Sequence, residues 1–216
     1  MSPQPNRIRA IIFDLDGTLY VSPEFAATIQ NAAAGYIAGL KGITPDQASH
    51  LMLATRRILA EESGEVPTLS AVSTRLGGDV RDLHLCFAEQ LRPEAYLERD
   101  ERVVALLEGL ARRMPLYLFT NNNRILTARI IDVLGLKGLF RRTYAIDDSW
   151  KGKPDEDLLD RILGDTGLKP TEVLFVGDRY DVDLRLPEQR GCPVYLSRTI
   201  EQLLRIEDIL GRADSR

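Results

Sequence analysis

Asp14 and Asp16 are separated by one leucine at the end of the apolar run Ile11-Ile12-Phe13. Like charges this close oppose each other's ionisation unless a cation lies between them. A hard divalent ion held by carboxylates, with one carboxylate poised to attack phosphorus, is chemistry that such a pair can perform. Three other polar clusters belong to the same pattern. Thr120-Asn121-Asn122-Asn123 and Gly177-Asp178 each follow an apolar run, and Lys151-Gly152-Lys153-Pro154 precedes a helical stretch. Alone, each has a plain structural reading: a helix cap for one Asp or for Thr120-Asn121, a solvated charge for a lysine, a polar helix start for Asp178, Asp181 and Asp183. Paired acids, Thr, Lys and acid, in that order and each at the matching end of its element, favour a site.

The elements that must position these groups follow from the pattern of apolar residues. Residues 8–13, 116–119 and 173–176 are short, nearly continuous apolar runs, as in parallel strands covered on both faces. Residues 143–146 and 193–196 are weaker strand candidates. Helical patterns alternate with these runs at 101–113, 123–135, 154–167 and 199–211. Asp100 caps the first, Gly135 ends the second, and Pro154 with the acids after it opens the third. Pro187 falls where a helix should follow Asp183, so that helix is expected to start late or to break.

The interval 21–97 interrupts the alternation. It reads as helices at 24–39, 45–62, 68–76 and 80–91, with Thr44-Pro45-Asp46-Gln47 as a capped start. The expected fold is α/β: a Rossmann-like, doubly wound parallel sheet formed by residues 1–20 and 98–216, with an inserted all-helical unit at 21–97. Ligands bind beyond the carboxyl ends of such strands, so all four polar clusters should meet on one rim.

The composition narrows the classes. A net charge of −4 and a pI near 5.4 leave no broad basic surface, which argues against polymeric nucleic acid as a partner. No stretch approaches the length of a membrane span, and MSPQPNRIRA lacks a signal-peptide apolar run, so a cytoplasmic protein is expected. Cys86 and Cys192 lie far apart without a C-x-x-C spacing and are expected to be reduced packing residues.

The clusters resemble the four motifs of the haloacid dehalogenase-like hydrolases: IIFDLDGT, LYLFT, GKPDEDLL and VGDRYDVD, in order across residues 11 to 183. The resemblance implies that residues 21–97 are a C1-type cap closing over the site. The second acid is Asp16, as in the phosphatase branch, where dehalogenases generally carry an aromatic residue. A poor alkoxide leaving group needs a proton donor and a halide does not.

By the same resemblance, Asp14 is the nucleophile of an aspartyl-phosphate mechanism. Asp16 protonates the leaving oxygen and then activates water. Mg2+ is held by Asp14, the backbone carbonyl of Asp16 and Asp178, with Asp183 orienting that metal shell. Thr120 and Lys153 complete the catalytic set. Leu15, Gly17, Thr18 and Asn121 bind the phosphoryl group. Lys153 is preferred to Lys151 because it immediately precedes Pro154, and Asp181 has no assigned role.

The implied substrate is a small phosphorylated metabolite. DLDGTLYVSP and LYLFTNNN also look somewhat like pyrimidine 5′-nucleotidases, so a nucleoside monophosphate, phosphoglycolate and sugar phosphates all stay open. A phosphomutase would use the same motifs, and a non-catalytic phosphometabolite-binding protein would keep the fold. A phospho-accepting receiver domain is disfavoured by the large insertion after the first strand. Nothing in the sequence sets the oligomeric state or the motion of the cap.

Overall fold

Five parallel strands line up in the order β3-β2-β1-β4-β5 in the computed structural model, which describes residues 8–214. They are β1 (Ala10–Phe13), β2 (Leu116–Phe119), β3 (Phe140–Tyr144), β4 (Val173–Gly177) and β5 (Val194–Leu196). Residues 1–7 and 215–216, which the expected core boundaries include, lie outside the described residues. The sheet is coated on both faces, as the unbroken apolar runs of β1, β2 and β4 require. Alternation along each strand divides the core into two layers. Ile11, Phe13, Leu116, Leu118, Leu174 and Val176 face one layer, while Ala10, Ile12, Tyr117, Phe119, Val173 and Phe175 face the other. Burying each of the larger side chains contributes about 1.5–3 kcal/mol.

Four helices follow β1 in the interval 21–97: α1 (Pro23–Lys41), α2 (Pro45–Ser63), α3 (Leu69–Arg75) and α4 (Val80–Gln90). Their boundaries are written in the sequence. At α2, Thr44 Oγ1 accepts from the Gln47 amide at 3.3 Å and Gln47 Oε1 accepts from the Thr44 amide at 3.0 Å. The apolar sides of these helices are continuous with one face of the sheet, through Phe25, Ile37, Leu83 and Phe87 on to Leu107 and Leu118.

The remaining helices are α5 (Glu101–Ala111), α6 (Arg124–Val133), α7 (Glu156–Thr166), α8 (Arg185–Gln189), α9 (Ile200–Leu203) and α10 (Ile206–Asp214). Two expectations need correction. The strand expected at 143–146 is β3, three residues earlier; it is an edge strand whose Arg141 and Arg142 are exposed, so it lacks the apolar signature of a buried strand. The single helix expected at 199–211 is broken between α9 and α10. Tyr195 Oη donates to the Gln202 carbonyl at 2.5 Å, and Arg205 N donates to the same carbonyl at 3.0 Å. That carbonyl is thereby diverted from the i+4 bond that would continue the helix. Pro187 sits in the first turn of α8, where a missing N–H costs nothing.

One buried histidine makes stability depend on pH. Burial holds His84 down to about 4, with Nε2 at 3.1 Å from Ser70 Oγ. The unfolded chain takes up a proton near pH 6.5 and the folded chain does not, so stability present above about pH 6.5 falls as pH drops towards 4. His84→Gln is expected to flatten the fall in unfolding free energy between those values, measured by urea titration. The shift corresponds to a ceiling of about 3 kcal/mol.

Candidate active site

The carboxyl ends of β1, β2 and β4 lie side by side, and the residues just beyond them meet. Lys153, buried on the loop before α7, bridges the strands. Its Nζ lies 2.5 Å from Asp14 Oδ1, 2.6 Å from Asp183 Oδ1 and 2.9 Å from the Phe119 carbonyl, all within hydrogen-bonding or ion-pair distance. Lys151, by contrast, is exposed and pairs with Asp157 at 3.1 Å.

Two glycines permit the closeness. A Cβ on Gly17 (φ 84°) would sit 2.5 Å from Asp178 Oδ2, and one on Gly177 would sit 2.5 Å from Asp183 Cβ. Asp183 itself lies in a π-helical turn, Tyr180–Leu184, which folds it back against the end of β4. Its Oδ2 accepts from the Arg179 amide at 3.0 Å.

The other expected residues surround this centre. Thr18 Oγ1 donates to Asp14 Oδ2 at 3.1 Å, so both Asp14 oxygens are held. The Leu15 side chain is buried in the core, and its carbonyl accepts from the Thr18 and Leu19 amides. Thr120 is buried, and its Oγ1 accepts from the Asn122 amide at 3.1 Å. Asn121 Oδ1 accepts from the Lys153 amide at 2.7 Å, while its Nδ2 is buried without a partner among the described residues. The carboxylates of Asp14, Asp178 and Asp183 offer oxygens within 4.8 Å of one another; neither Asp181 nor the Asp16 side chain belongs to that group.

Three residues here were not anticipated. Tyr20 Oη and Asn122 Nδ2 both donate to the Asp16 carboxylate, the second at 2.7 Å. Arg179 Nε lies 3.8 Å from Asp178 Oδ1. Arg179 stands directly after Asp178 in the chain, which was the one available signal for it.

The electrostatics follow from burying four acids together. Burial, opposed by Lys153 and reinforced by the neighbouring acids, pushes Asp14 up to about 7. Burial and the Asp183 charge push Asp178 up to about 6. Burial also raises Asp16, against the hydrogen bonds from Tyr20 and Asn122. Burial alone would lower Lys153, but Asp14 and Asp183 hold it above the usual lysine range. Arg179 is likewise raised, by Asp183 foremost among the acids, despite burial.

Four carboxylates thus face two cations. A divalent ion would balance the remainder, and Asp178 Oδ1, buried with no hydrogen bond among the described residues, is an oxygen available to it. The residues present fit Mg2+.

The sequence profile of the haloacid dehalogenase-like hydrolases matches residues 8–188. The chain belongs to that family. It is similar to the phosphoglycolate phosphatase of Shigella boydii, 28% identical over 204 residues that cover 86% of this chain and 79% of that one. It is also 29% identical to phosphoglycolate phosphatase 1 of Pseudomonas aeruginosa, covering 81% and 64%. Among solved structures, a haloacid dehalogenase-like phosphatase from Thermococcus onnurineus superposes with a TM-score of 0.63 at 19% identity, covering 94% of this chain and 98% of that one. A 2-haloacid dehalogenase from Pseudomonas syringae gives 0.59 at 21%, covering 95% and 99%. At these identities the two structures speak for the fold. The family match and the phosphatase relatives make this haloacid dehalogenase-like hydrolase a phosphatase. No helix among its described residues is long and apolar enough to cross a membrane.

Proposed function

We propose that this phosphatase is Mg2+-dependent and hydrolyses a small phosphomonoester through an aspartyl-phosphate on Asp14, with residues 21–97 as a cap over a core of 1–20 and 98–216. The observation that carries the reading is Asp14 held on both oxygens beside a buried Asp178 oxygen that no hydrogen-bond donor among the described residues reaches. Asp14 and Asp178, with the Asp16 carbonyl, would hold the ion, and Asp183 would orient that shell through Lys153. Bound Mg2+ neutralises charge on the transferring phosphoryl group.

In the first step an Asp14 carboxylate oxygen bonds to phosphorus as the bond to the leaving oxygen breaks. Asp16 gives its proton to that oxygen. In the second step a water oxygen attacks phosphorus, Asp16 takes the water proton, and the Asp14–phosphorus bond breaks to release inorganic phosphate. The Thr120 hydroxyl and the free Asn121 amide stabilise the phosphoryl oxygens, with Lys153 supplying positive charge.

The cavity beside Lys153 bears on the leaving group. It holds about 760 Å3 and is walled by Leu59, Val66, Pro67, Ala71, Val80 and Trp150. Its charged lining residues are paired: Glu62 with Arg75, Glu65 with Arg185, Lys151 with Asp157 and Lys153 with Asp14 and Asp183. Trp150 is held at φ 57°, a strained conformation for a bulky side chain, with Arg81 over its ring at 5.2 Å. Such walls favour an apolar leaving group over the carboxylate of glycolate.

Steady release of inorganic phosphate across a panel of phosphomonoesters tests the reading. Higher kcat/KM for apolar leaving groups than for phosphoglycolate is expected. Phosphoglycolate as the best substrate would remove this cavity from the leaving-group site. Loss of release in EDTA and recovery with Mg2+ are expected, and undiminished release in EDTA would end the metal assignment.

Metal binding should also depend on pH. With Asp14 near 7 and Asp178 near 6 before metal binds, protons compete for both acids at low pH. Mg2+ is therefore expected to raise Tm clearly at about pH 7.5 and little at about pH 5, the gain approaching about 2.7 kcal/mol at a hundredfold excess over Kd. Differential scanning calorimetry at the two pH values measures it.

A further inference from the structure

The Asp16 carboxylate is gripped from two sides. Tyr20 Oη donates to Oδ1 and Asn122 Nδ2 donates to Oδ2 at 2.7 Å. Each partner has contacts beyond the Asp16 carboxylate that hold it in place. Tyr20 is buried against Phe25, ring centroids 6.2 Å apart, and its carbonyl accepts from the Gly17 amide at 3.0 Å. Asn122 donates its amide to Thr120 Oγ1 at 3.1 Å and its carbonyl accepts from the Ile146 amide at 3.0 Å. One anchor belongs to the loop after β1 and the other to the end of β2, so the carboxylate is pinned between two parts of the sheet rim. Each carboxylate oxygen keeps a second lone pair, which leaves room for a proton and a leaving oxygen.

We propose that Tyr20 and Asn122 are positioning residues that fix the Asp16 carboxyl group for proton delivery to the leaving oxygen. This rests on the reading of Asp16 as the acid. A buried acid without these two bonds would be free to rotate about its side-chain torsions, and misplacement by about 1 Å costs on the order of 10²-fold in rate. Proton delivery matters most when the leaving oxygen is a poor leaving group.

The test compares an alkyl phosphate with 4-nitrophenyl phosphate, whose phenolate departs without help. The readout is kcat/KM, which covers the steps through departure of the leaving group and excludes hydrolysis of the phosphoenzyme. Tyr20→Phe and Asn122→Ala are each expected to lose about 10- to 100-fold on the alkyl ester and distinctly less, under about 5-fold, on the nitrophenyl ester. Equal losses on both esters, as a merely structural role would give, would overturn the proposal, and so would no loss on either. Tyr20→Phe keeps the packed ring, so it decides the matter by itself if Asn122→Ala does not fold.

Asp16→Asn separates this failure from failure of the mechanism. A selective loss in Asp16→Asn without one in Tyr20→Phe or Asn122→Ala leaves the acid in place and removes the clamp. An unselective loss in Asp16→Asn removes the acid assignment, and the clamp with it.

Discussion

Asp14→Asn is expected to lower kcat by about 10⁴-fold or more, because the group that forms the bond to phosphorus is gone. The same change should not destabilise the metal-free protein at about pH 7.5. The sign comes from the shift of Asp14 to about 7 by burial. A carboxyl raised this way contributes stability below its unfolded pKa, and that stability is lost as pH rises from about 4 through 7. Ionised Asp14 is therefore a burden on the metal-free fold at neutral pH, and the amide removes it. Phosphate release and a thermal melt in EDTA, on the same preparations, measure the two effects. Activity close to wild type would remove Asp14 as nucleophile. A large drop in Tm would mean that activity was lost through the fold.

Lys153→Met is expected to act on both properties. It leaves Asp14 and Asp183, both buried, without their shared ammonium, and breaking a buried pair from one side costs about 3–5 kcal/mol. It also removes positive charge from the phosphoryl site, for about 10²–10³-fold in kcat. Mg2+ should recover part of the lost stability, since it meets the same acids, but not the rate. Lys151→Met, at an exposed pair, should change stability by less than about 1 kcal/mol. Equal effects of the two substitutions, in urea titrations with and without Mg2+, would show that the buried bridge is not a structural determinant.

Much of the rim was legible because strand ends are legible. An apolar run that stops on Asp14, Thr120 or Asp178 marks both a parallel strand and its ligand-binding end. Helix starts such as Thr44 and Asp100 were readable because capping is a local bond: Asp100 Oδ1 accepts from the Arg102 amide, two residues on. Edge strand β3 was displaced because the hydrophobic signal weakens where one side of a strand meets solvent. The break between α9 and α10 escaped because it depends on Tyr195, from the neighbouring strand, bonding to the Gln202 carbonyl.

Local order along the chain, then, determined the strands, the capped helices, the α/β class and the set of acids, threonine and lysine at the rim. These follow from side-chain periodicity and near-neighbour hydrogen bonds, which a sequence displays directly. Tertiary structure decided the pairings: Lys153 against Asp14 across 139 positions, Asn122 against Asp16 across 106, and Asp183 folded back by a π-turn onto the same lysine. Each joins polar groups that are individually ordinary, and nothing in either residue's own neighbourhood names its partner. Burial supplies the rest: with the neighbouring acids it raises Asp14 and Asp178, and it leaves an Asp178 oxygen without a donor among the described residues.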